Sequence, residues 1–421
     1  MHDEANRTAI VVGAGIVGSA AALRLQQAGW RCTMVDPLDA VPAGASSGNA
    51  GHLAIEQSAP LASWSAIRSA PRRLFAFGGA LDIRDPMHAL PWLKEFARAA
   101  SPARFKAGQA ALRGLLDEAL PAWQRMLVNI GREDLIRTDG HLVLWESAAA
   151  AKRGRDHWNS AVLGNASVRE LTRDELAQLQ ASMERRLYGG LHFAGTGQVA
   201  DPAITLEALR KAFVAAGGVV VRGTAGSLPI HDRRASVRLE DGRQMEAGIV
   251  LVTGGVRSGE LLSTTELRVP LIAERGYHIH WTDHGWPQQM PPVVFEDRSV
   301  ILTRFSGGLR LAGFVEFARR ESAPDPRKWA ALRKHAQQLK LPVHGDGTAW
   351  SGARPTLPDY LPAIGRARAA ENLLYAFGHQ HLGLTLAPIT AELVESIATN
   401  RGQPTASLRA FDLARFNHGT C

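Results

Sequence analysis

The feature that most constrains this chain is a strand–turn–helix–strand unit close to its start. The short apolar run 8–12 (TAIVV) suits a buried strand, and three glycines follow it, at Gly13, Gly15 and Gly18. An apolar helical pattern comes next, and a second strand then ends on Asp36. Strand, spaced glycines, helix, strand and a terminal acid, in this order, predict a dinucleotide-binding βαβ unit.

Each of these residues has a physical role in that prediction. Gly13 permits the tight turn, Gly15 lets the backbone approach a pyrophosphate, and Gly18 lets helix and strand pack closely. The helix N-terminus offers free N–H groups and the positive end of its dipole to the phosphates. Asp36 is placed to accept hydrogen bonds from a ribose, and Pro37 follows it without an Arg or Lys for a 2′-phosphate. NADP is therefore disfavoured, whereas NAD and FAD both stay open at this point.

The segment after the unit favours a flavin nucleotide. Residues 41–52 (VPAGASSGNAGH) form a loop of small residues with hydroxyl groups at Ser46 and Ser47. Such a loop is suited to wrapping a diphosphate and to approaching a flavin ring.

Composition and charge exclude some classes of protein. With 421 residues, 45% of them hydrophobic, the chain is long enough for two domains. Its formal charge of +8 is scattered and no nucleic-acid-binding motif is found, so nucleic acid is not expected as a partner. A basic surface favours anionic substrates, anionic cofactors and anionic lipid head groups. The two cysteines, Cys32 and Cys421, cannot form a disulfide framework, which indicates a reducing, cytoplasmic compartment. Peripheral contact with the inner face of the cytoplasmic membrane stays open.

Several blocks along nearly the whole chain resemble one family. They read ASSGNAG at 45–51, Asp201-Pro202, GIVLVTGG at 248–255, GARPTLPD at 352–359 and GHQHLGLT at 378–385. In this order they resemble the D-amino-acid oxidase superfamily, especially its glycine oxidases and bacterial D-amino-acid dehydrogenases, including the D-hydroxyproline dehydrogenase group. Two positions depart from the pattern: Asp36 stands where Glu is usual, and Tyr360 stands where Gly is frequent.

The resemblance implies an α/β fold with an α+β substrate part. A Rossmann-like FAD-binding domain is expected to interleave with an antiparallel-sheet substrate domain. The FAD-binding domain would be discontinuous, comprising 1–85, 195–265 and 350–421, and the substrate domain and its cover would comprise 86–194 and 266–349.

The implied cofactor is FAD. The start of the last long helix, with Pro388 in its first turn, is expected to aim N–H groups at the N1–C2=O edge of the ring. That edge gains negative charge on reduction, so these donors favour electron acceptance. The predicted cofactor contacts are Gly13, Gly15, Ile16, Val17, Gly18, Asp36, Pro37, Ser46, Ser47, Asn49, Ala50, Gly51, His52, Leu53, Ala225, Thr253, Gly254, Arg354, His379, His381, Leu382, Gly383, Leu384 and Thr385.

The implied reaction moves a hydride from the α-carbon of an amino acid to flavin N5 and leaves an imino acid. Arg354 is predicted to bind the substrate carboxylate through its guanidinium fork. Tyr277, on a predicted strand, is expected to donate to the same carboxylate. His52 and His381 are candidate pocket residues, and for His52 both covalent flavin attachment and plain packing stay open.

No metal site is predicted, because the neighbouring histidines His278, His280 and His284 have no second cluster to complete a ligand set.

The expected function is that of an FAD-dependent dehydrogenase of a small D-amino acid or cyclic imino acid, with D-proline and cis-4-hydroxy-D-proline as the specific expectation. An oxygen-using oxidase of glycine, sarcosine or D-amino acids stays open, as does a flavin-binding electron-transfer subunit. A quinone or a partner protein is the expected electron acceptor of a dehydrogenase. A basic amphipathic helix, predicted at 326–341, is either a solvated face or a contact with a membrane or an electron-accepting partner.

Overall fold

The computed structural model describes residues 7–38, 44–265, 267–399 and 406–416. Cys421 and residues 41–43 of the small-residue loop therefore lie outside the described residues. The α-helices are α1 (Ile16–Gln27), α2 (Trp64–Arg73), α3 (Pro86–Ala99), α4 (Pro102–Asn129), α5 (Ala148–Ser160), α6 (Arg173–Met183), α7 (Pro202–Ala215), α8 (Ser258–Ser263), α9 (Pro326–Gln338) and α10 (Gly383–Thr399).

The strands are short and spread along the whole described chain. They are β1 (Thr8–Val12), β2 (Arg31–Asp36), β3 (His52–Leu53), β4 (Leu81–Ile83), β5 (Ile136–Arg137), β6 (His141–Trp145), β7 (Ser167–Glu170), β8 (Gly189–Ala194), β9 (Gly197–Val199), β10 (Val219–Arg222), β11 (Ala225–Ser227), β12 (Ile230–His231), β13 (Arg234–Ala235), β14 (Val237–Leu239), β15 (Gln244–Met245), β16 (Ile249–Val252), β17 (Ile272–Trp281), β18 (Val293–Phe295), β19 (Val300–Phe305), β20 (Gly308–Ala318), β21 (Thr348–Thr356), β22 (Ala363–Arg366) and β23 (Leu373–Phe377).

Three helices begin on the same dipeptide, Asp-Pro, at residues 85–86, 201–202 and 325–326. The aspartate is the N-cap in each case, and its carboxylate accepts hydrogen bonds from amides of the first turn. The proline occupies the first helical position, where its missing N–H costs nothing. The helix predicted after Asp201-Pro202 is therefore observed, as α7.

The first sheet has six strands in the order β10, β2, β1, β16, β23, β22. Its strands are parallel apart from β22, which runs antiparallel to β23. One face packs on α1, α4, α7 and α10, and the other packs on α8 and the small sheet of β11, β14 and β15. Because both faces are covered, β16 and β23 are buried along their whole length and are almost entirely apolar.

The second sheet is mainly antiparallel, in the order β21, β17, β20, β19, β18, β6, β8, β7, with β4 beside β20. It packs on α6 and α9. Strands of the two sheets alternate along the chain, as the predicted interleaving requires. Strands β4 and β21 belong to this second sheet, although most of their residues fall within ranges that were predicted for the FAD-binding domain.

The basic helix predicted at 326–341 is observed as α9. Its Lys328 is fully buried, and the ammonium group lies 2.6 Å from Asp82 Oδ2 and 2.8 Å from Glu316 Oε2. A third carboxylate, that of Asp325, lies 3.2 Å away. This face of α9 is thus part of the interior, and the three carboxylates around it are paired with Lys328 together with Arg275 and Arg327.

One stretch among the described residues, Gln380–Thr399, is long and apolar enough to cross a membrane by length and composition. It contains α10, whose side chains are mostly buried and which packs against α1 and α4 in the core. The same helix begins at the predicted flavin end of the site.

Candidate active site

The turn between β1 and α1 accommodates only glycine at two of its three glycine positions. Gly13 has φ +106°, and a Cβ built on it lies 2.7 Å from the Thr253 carbonyl oxygen. A Cβ on Gly18 would lie 1.9 Å from the Gly13 carbonyl oxygen. Gly15 is the N-cap of α1, and the atom nearest to a Cβ built there is Ser46 Oγ, at 3.3 Å. The backbone therefore leaves no room for side chains at Gly13 and Gly18.

Asp36 ends β2 on the wall of a cavity of about 180 Å³. Its Oδ2 accepts a hydrogen bond from the Ala14 amide at 2.7 Å, and its Oδ1 accepts one from the Leu38 amide at 2.9 Å. A carboxylate fixed in this way beside the glycine turn is suited to a ribose. The same cavity is lined by four more of the predicted contacts, Gly13, Pro37, Ala225 and Gly254.

Two hydroxyl groups join the glycine turn to its surroundings. Ser46 Oγ accepts a hydrogen bond from the Ile16 amide at 3.0 Å, which brings the small-residue loop to the start of α1. Thr253 Oγ1 donates to the carbonyl oxygens of Val12 and Gly13, both at 2.9 Å. Ser46 is thus near the amides that would hold a diphosphate, whereas Thr253 stabilises the backbone of the turn at Val12 and Gly13.

The small-residue loop is also held from the second sheet, by Arg310 of β20. Its Nη1 donates to the carbonyl oxygens of Ser47, at 3.3 Å, and of Asn49. Burial lowers the pKa of Arg310 to about 10. Sequence analysis did not single out this residue, and the one available signal was a lone charge in the apolar strand pattern LRLAGF.

Within this loop, Asn49 and Gly51 form a tight turn before β3. Asn49 Oδ1 accepts a hydrogen bond from the Gly51 amide at 2.8 Å, across Ala50. Gly51 has φ +76°, and a Cβ there would lie 2.4 Å from the Phe305 ring. The turn leads directly into His52 and Leu53 of β3.

The start of α10 is tied to other parts of the core through polar contacts. The Leu384 carbonyl oxygen accepts from the Trp123 indole at 3.1 Å, and Thr385 Oγ1 accepts from the Ala54 amide at 3.2 Å. The second contact fixes the helix N-terminus, with Gly383, against the segment that follows β3. The predicted positions at the start of α10 and in β3 are therefore brought together.

His379 and Leu382, in the turn before α10, are both buried. His379 Nε2 lies 3.0 Å from Thr390 Oγ1, and burial lowers the pKa of this imidazole to about 3. His379 thus stays neutral and faces the body of α10.

Arg354 of β21 is directly opposite Glu274 of β17 in the sheet. Its Nη1 lies 2.9 Å from Glu274 Oε1, and its side chain is 25% exposed, whereas that of Glu274 is 2% exposed. Glu274 Oε2 also accepts hydrogen bonds from Thr356 Oγ1 at 3.0 Å and from the Tyr360 hydroxyl at 3.2 Å. The guanidinium is therefore anchored on one side and accessible on another.

Tyr277, the second predicted carboxylate ligand, is not brought to Arg354. Its hydroxyl donates to Glu316 Oε1 at 3.0 Å and accepts from the Asp325 amide at 3.0 Å, and its side chain is buried. The physical reason is strand alternation: Arg275 and Tyr277 point to the α9 side of β17, and Glu274 points to the opposite side. We therefore give Tyr277 no role at the carboxylate.

His52 and His381 occupy a polar region near Arg354. His381 Nε2 lies 2.7 Å from Gln57 Oε1. Burial lowers the pKa of His381 to about 4; the charge of Glu274 acts against this shift, and the charge of Arg354 adds to it. The pKa of His52 is lowered to about 3, first by burial and then by His381. Both imidazoles are thus neutral near pH 7.

Behind His52 lies a buried cluster that sequence analysis missed. Glu56 Oε2 is 4.0 Å from His52 Nε2, and Glu56 Oε1 is 4.0 Å from His141 Nε2. His141 Nδ1 lies 2.8 Å from Thr196 Oγ1, and burial raises the pKa of Glu56 to about 7. The spacing His52-x-x-x-Glu56 was visible in the sequence, but the approach of His141 from β6 was not.

The three histidines considered for a metal site are engaged separately. His278 Nδ1 lies 3.0 Å from the Gly48 carbonyl oxygen, and His280 Nε2 lies 3.1 Å from the Gly307 carbonyl oxygen. His284 Nδ1 accepts from the Trp286 amide at 3.1 Å. His278 thus contacts the backbone of the small-residue loop, from the same face of the second sheet as Arg310.

Residues 8–397 match the family described as FAD dependent oxidoreductase. The chain belongs to this FAD-dependent oxidoreductase family. One relative is the D-amino-acid oxidase of Bradyrhizobium diazoefficiens, which is 30% identical over 97% of this chain and 99% of its own length. Another is the D-amino acid dehydrogenase of Neisseria gonorrhoeae, 27% identical over 96% of this chain and 98% of its own.

Solved structures with the same fold include two oxidases. The glycine oxidase of Geobacillus kaustophilus superposes with a TM-score of 0.72 at 19% identity, covering 98% of this chain and 99% of that one. The iminodiacetate oxidase of Chelativorans gives 0.70 at 20% identity, covering 96% and 98%. The predicted superfamily, fold class, enzyme class and FAD cofactor are all confirmed by these matches.

The residues of this FAD-dependent oxidoreductase fit its cofactor. The turn has no room for a Cβ at Gly13 or Gly18, as a dinucleotide-binding turn requires, and the cavity beside Asp36 suits the adenosine end. At the other end, the N-terminus of α10 suits the electron-rich edge of the ring. When bound, FAD supplies a two-electron acceptor that no protein side chain provides.

Proposed function

We propose that this FAD-dependent oxidoreductase oxidises a small D-amino acid or cyclic imino acid, with D-proline and cis-4-hydroxy-D-proline as the first substrates to test. The observation that carries the proposal is Arg354, a partly exposed guanidinium beside the turn that leads into α10. A guanidinium fork matches a carboxylate in two parallel hydrogen bonds. The D-amino acids named for two of the relatives support the choice of substrate class.

In this proposal each group of the chain has a simple task. Arg354 binds the substrate carboxylate and so sets which face of the α-carbon is presented to the cofactor. The amides at the start of α10 stabilise negative charge on the ring. His381 and His52 line the pocket as neutral groups, so an imidazole nitrogen can accept a hydrogen bond from the substrate amine. The amine lone pair can then form the C=N bond as the α-carbon loses its hydride, and the resulting iminium ion releases its N–H proton to water.

The test is anaerobic bleaching of the purified yellow protein by paired D- and L-amino acids, including D-proline and cis-4-hydroxy-D-proline. Bleaching by D-isomers only is the expected result, and Arg354→Ala should raise KM at least about 100-fold, because a bidentate charged pair is lost. Arg354→Lys keeps the charge without the fork and should recover only part of the loss. Bleaching by D-alanine but not by cyclic imino acids would reject the narrower substrate. No bleaching by any amino acid, together with unchanged activity of Arg354→Ala in a complex with a partner, would favour an electron-transfer subunit.

An oxygen-using oxidase is the second candidate, because the relative at 30% identity is named as an oxidase. The two candidates differ only in what reoxidises the cofactor. Hydrogen peroxide formed at the rate of dye reduction would favour the oxidase, and dye reduction without peroxide favours a dehydrogenase with a quinone or protein acceptor.

For a dehydrogenase, we propose residues 61–90 as the contact with an anionic membrane. Large apolar side chains are exposed there, including Phe77 (77%) and Met87 (78%), and α2 has no buried residue. The exposed arginines Arg68 and Arg72 on α2 suit anionic lipid head groups. We expect flotation with anionic vesicles to be reduced by Phe77→Ser and Met87→Ser together. Equal flotation of this variant would reject the surface.

A further inference from the structure

We propose that Glu274 and Tyr360 are positioning residues that fix the Arg354 guanidinium in the orientation that receives a substrate carboxylate. The inference rests on the proposed function, and it assigns a task to two side chains that do not themselves touch the substrate. It is carried by three contacts: the cross-strand ion pair, the closed bonding of the Glu274 carboxylate, and the link from Tyr360 to the turn before α10.

The ion pair follows from strand register. Residues that face each other on neighbouring antiparallel strands place their side chains on the same side of the sheet. Glu274 and Arg354 are such a pair, and Nη1 lies 2.9 Å from Oε1. An arginine side chain has several freely rotating bonds, so a carboxylate that holds one edge of the guanidinium removes much of its rotational freedom.

The Glu274 carboxylate is itself fixed. Its Oε1 is occupied by Arg354, and its Oε2 accepts from Thr356 Oγ1 at 3.0 Å and from the Tyr360 hydroxyl at 3.2 Å. With its side chain 2% exposed, it has almost no access to competing water. A carboxylate bonded at both oxygens in a dry environment keeps one orientation, and it transmits that orientation to the guanidinium.

Gly276 of β17 leaves the space beside its backbone free for the Arg354 guanidinium. A Cβ on Gly276 would lie 2.3 Å from Arg354 Nη2 and 2.8 Å from Cζ. The guanidinium therefore lies directly over the backbone of β17. Glu274 confines it at one edge and the strand confines it at one face, so the free edge points in a single direction.

Tyr360 connects this assembly to the flavin end of the site. Its hydroxyl donates to Glu274, and its carbonyl oxygen accepts from Gln380 Nε2 at 2.7 Å. Gln380 directly precedes His381 in the turn that starts α10. One buried tyrosine thus ties the carboxylate-binding group to the turn that faces the ring, and it sets the distance between the two ends of the substrate site.

The backbone of Tyr360 indicates that this connection has a cost. Its φ is +57°, in the left-handed region that a bulky residue seldom occupies. The ring is held there by Trp92 and Phe96, whose ring centroids lie 6.2 Å and 6.0 Å from its own. A glycine would adopt the same backbone without strain but would supply neither the hydroxyl group nor the ring packing.

Glu274 also has an opposite effect, because its negative charge reduces the attraction of Arg354 for an anion. The proposal states that orientation outweighs charge. Loss of the Glu274 charge or of the Tyr360 hydroxyl should therefore weaken carboxylate binding, whereas a purely electrostatic role for Glu274 predicts tighter binding when its charge is removed.

The test uses the FAD-loaded enzyme and 2-aminoisobutyrate, an amino acid that has no α-hydrogen and cannot be oxidised. Its dissociation constant is measured by calorimetry for the wild type, Glu274→Gln and Tyr360→Phe. We expect binding about 10-fold weaker for Glu274→Gln, which loses the ion pair with Arg354, and about 3-fold weaker for Tyr360→Phe, which loses one of the two hydrogen bonds at Glu274 Oε2. With substrate, both variants should raise KM more than they lower kcat.

Tyr277→Phe is the matched control for Tyr360→Phe. It also deletes one hydroxyl that donates to a buried glutamate, but on the opposite side of the same sheet, toward Glu316. Its affinity for 2-aminoisobutyrate should stay within about 2-fold of the wild type, since no group at the carboxylate changes.

Unchanged or tighter binding by folded, FAD-loaded Glu274→Gln would overturn the proposal, as would an equal loss in Tyr360→Phe and Tyr277→Phe. If instead the wild type and Arg354→Ala bind the probe alike, the proposed function fails as well. The two failures are thus distinguished by whether Arg354 itself matters.

Discussion

Glu56 is a buried residue whose charge depends on pH near neutrality. Burial raises its pKa from 4.5 to about 7, and the groups facing it are His52 and His141, both neutral because burial lowers their pKa values. A raised carboxylate pKa means that the folded protein holds a proton that the unfolded chain releases. The stability that Glu56 contributes through this raised pKa is fully present below pH 4.5 and is lost as the pH rises through 7.

Glu56→Gln should remove that loss. Relative to the wild type, we expect this variant to gain on the order of 3 kcal/mol in free energy of unfolding between pH 4.5 and pH 8. Urea denaturation of the wild type and the variant at successive pH values measures the difference. The lowered pKa values of His52 and His141 change stability in the opposite direction, but they do so in both proteins. Glu184→Gln, at a side chain that is 81% exposed, is the control and should give a profile parallel to the wild type. A parallel profile for Glu56→Gln would contradict the raised pKa of Glu56.

Among the elements, α1 contains Gly18 and α4 contains Gly108 and Gly114, and replacing Gly18 or Gly114 by alanine should have opposite effects. In α1 a Cβ on Gly18 would meet the Gly13 carbonyl oxygen at 1.9 Å, so Gly18→Ala must move the helix away from the glycine turn. In α4 the exposed Gly114 has nothing within 4 Å of its built Cβ. There, alanine only gains helix propensity, worth about 0.5–1 kcal/mol.

We therefore expect Gly18→Ala to be purified with little or no FAD, and Gly114→Ala to keep a full complement and unfold at slightly higher urea concentration. The ratio of flavin to protein absorbance and a urea titration measure both effects. Full FAD content in Gly18→Ala would contradict the close helix–turn packing that this fold requires.

How far the sequence predicted these elements depends on how local each one is. Gly13, Gly18 and Asp36 lie within one βαβ unit, so spacing alone indicated their roles. The pair of Glu274 and Arg354 is 80 residues apart in sequence and depends on strand register, which periodicity does not reveal. The sequence correctly placed Tyr277 on a strand, but alternation along a strand does not tell which face a cofactor occupies. The resemblance pointed to Arg354, whereas Arg310 required the folded structure.

At the scale of the whole molecule, the small-residue loop that is predicted to bind FAD is held by residues of the second sheet. The small-residue loop belongs to the nucleotide-binding unit, yet Arg310 of β20 and His278 of β17 hold its backbone from the second sheet. Arg310 is 7% exposed, so its buried charge is costly unless the loop carbonyl groups it binds are in place. We therefore expect the contacts between the loop and the second sheet to strengthen FAD binding.

Arg310→Met tests this expectation, because methionine fills much of the space without donating hydrogen bonds. We expect FAD to bind about 10-fold more weakly, which reduces the stabilisation by a given excess of FAD by about 1.4 kcal/mol. Melting temperatures measured with and without added FAD should then differ less in the variant than in the wild type. Arg233→Met, at an arginine whose side chain is 67% exposed, is the control and should leave the FAD-dependent difference unchanged. A variant that is destabilised equally with and without FAD would show that Arg310 supports the second sheet alone, and not its connection to the nucleotide site.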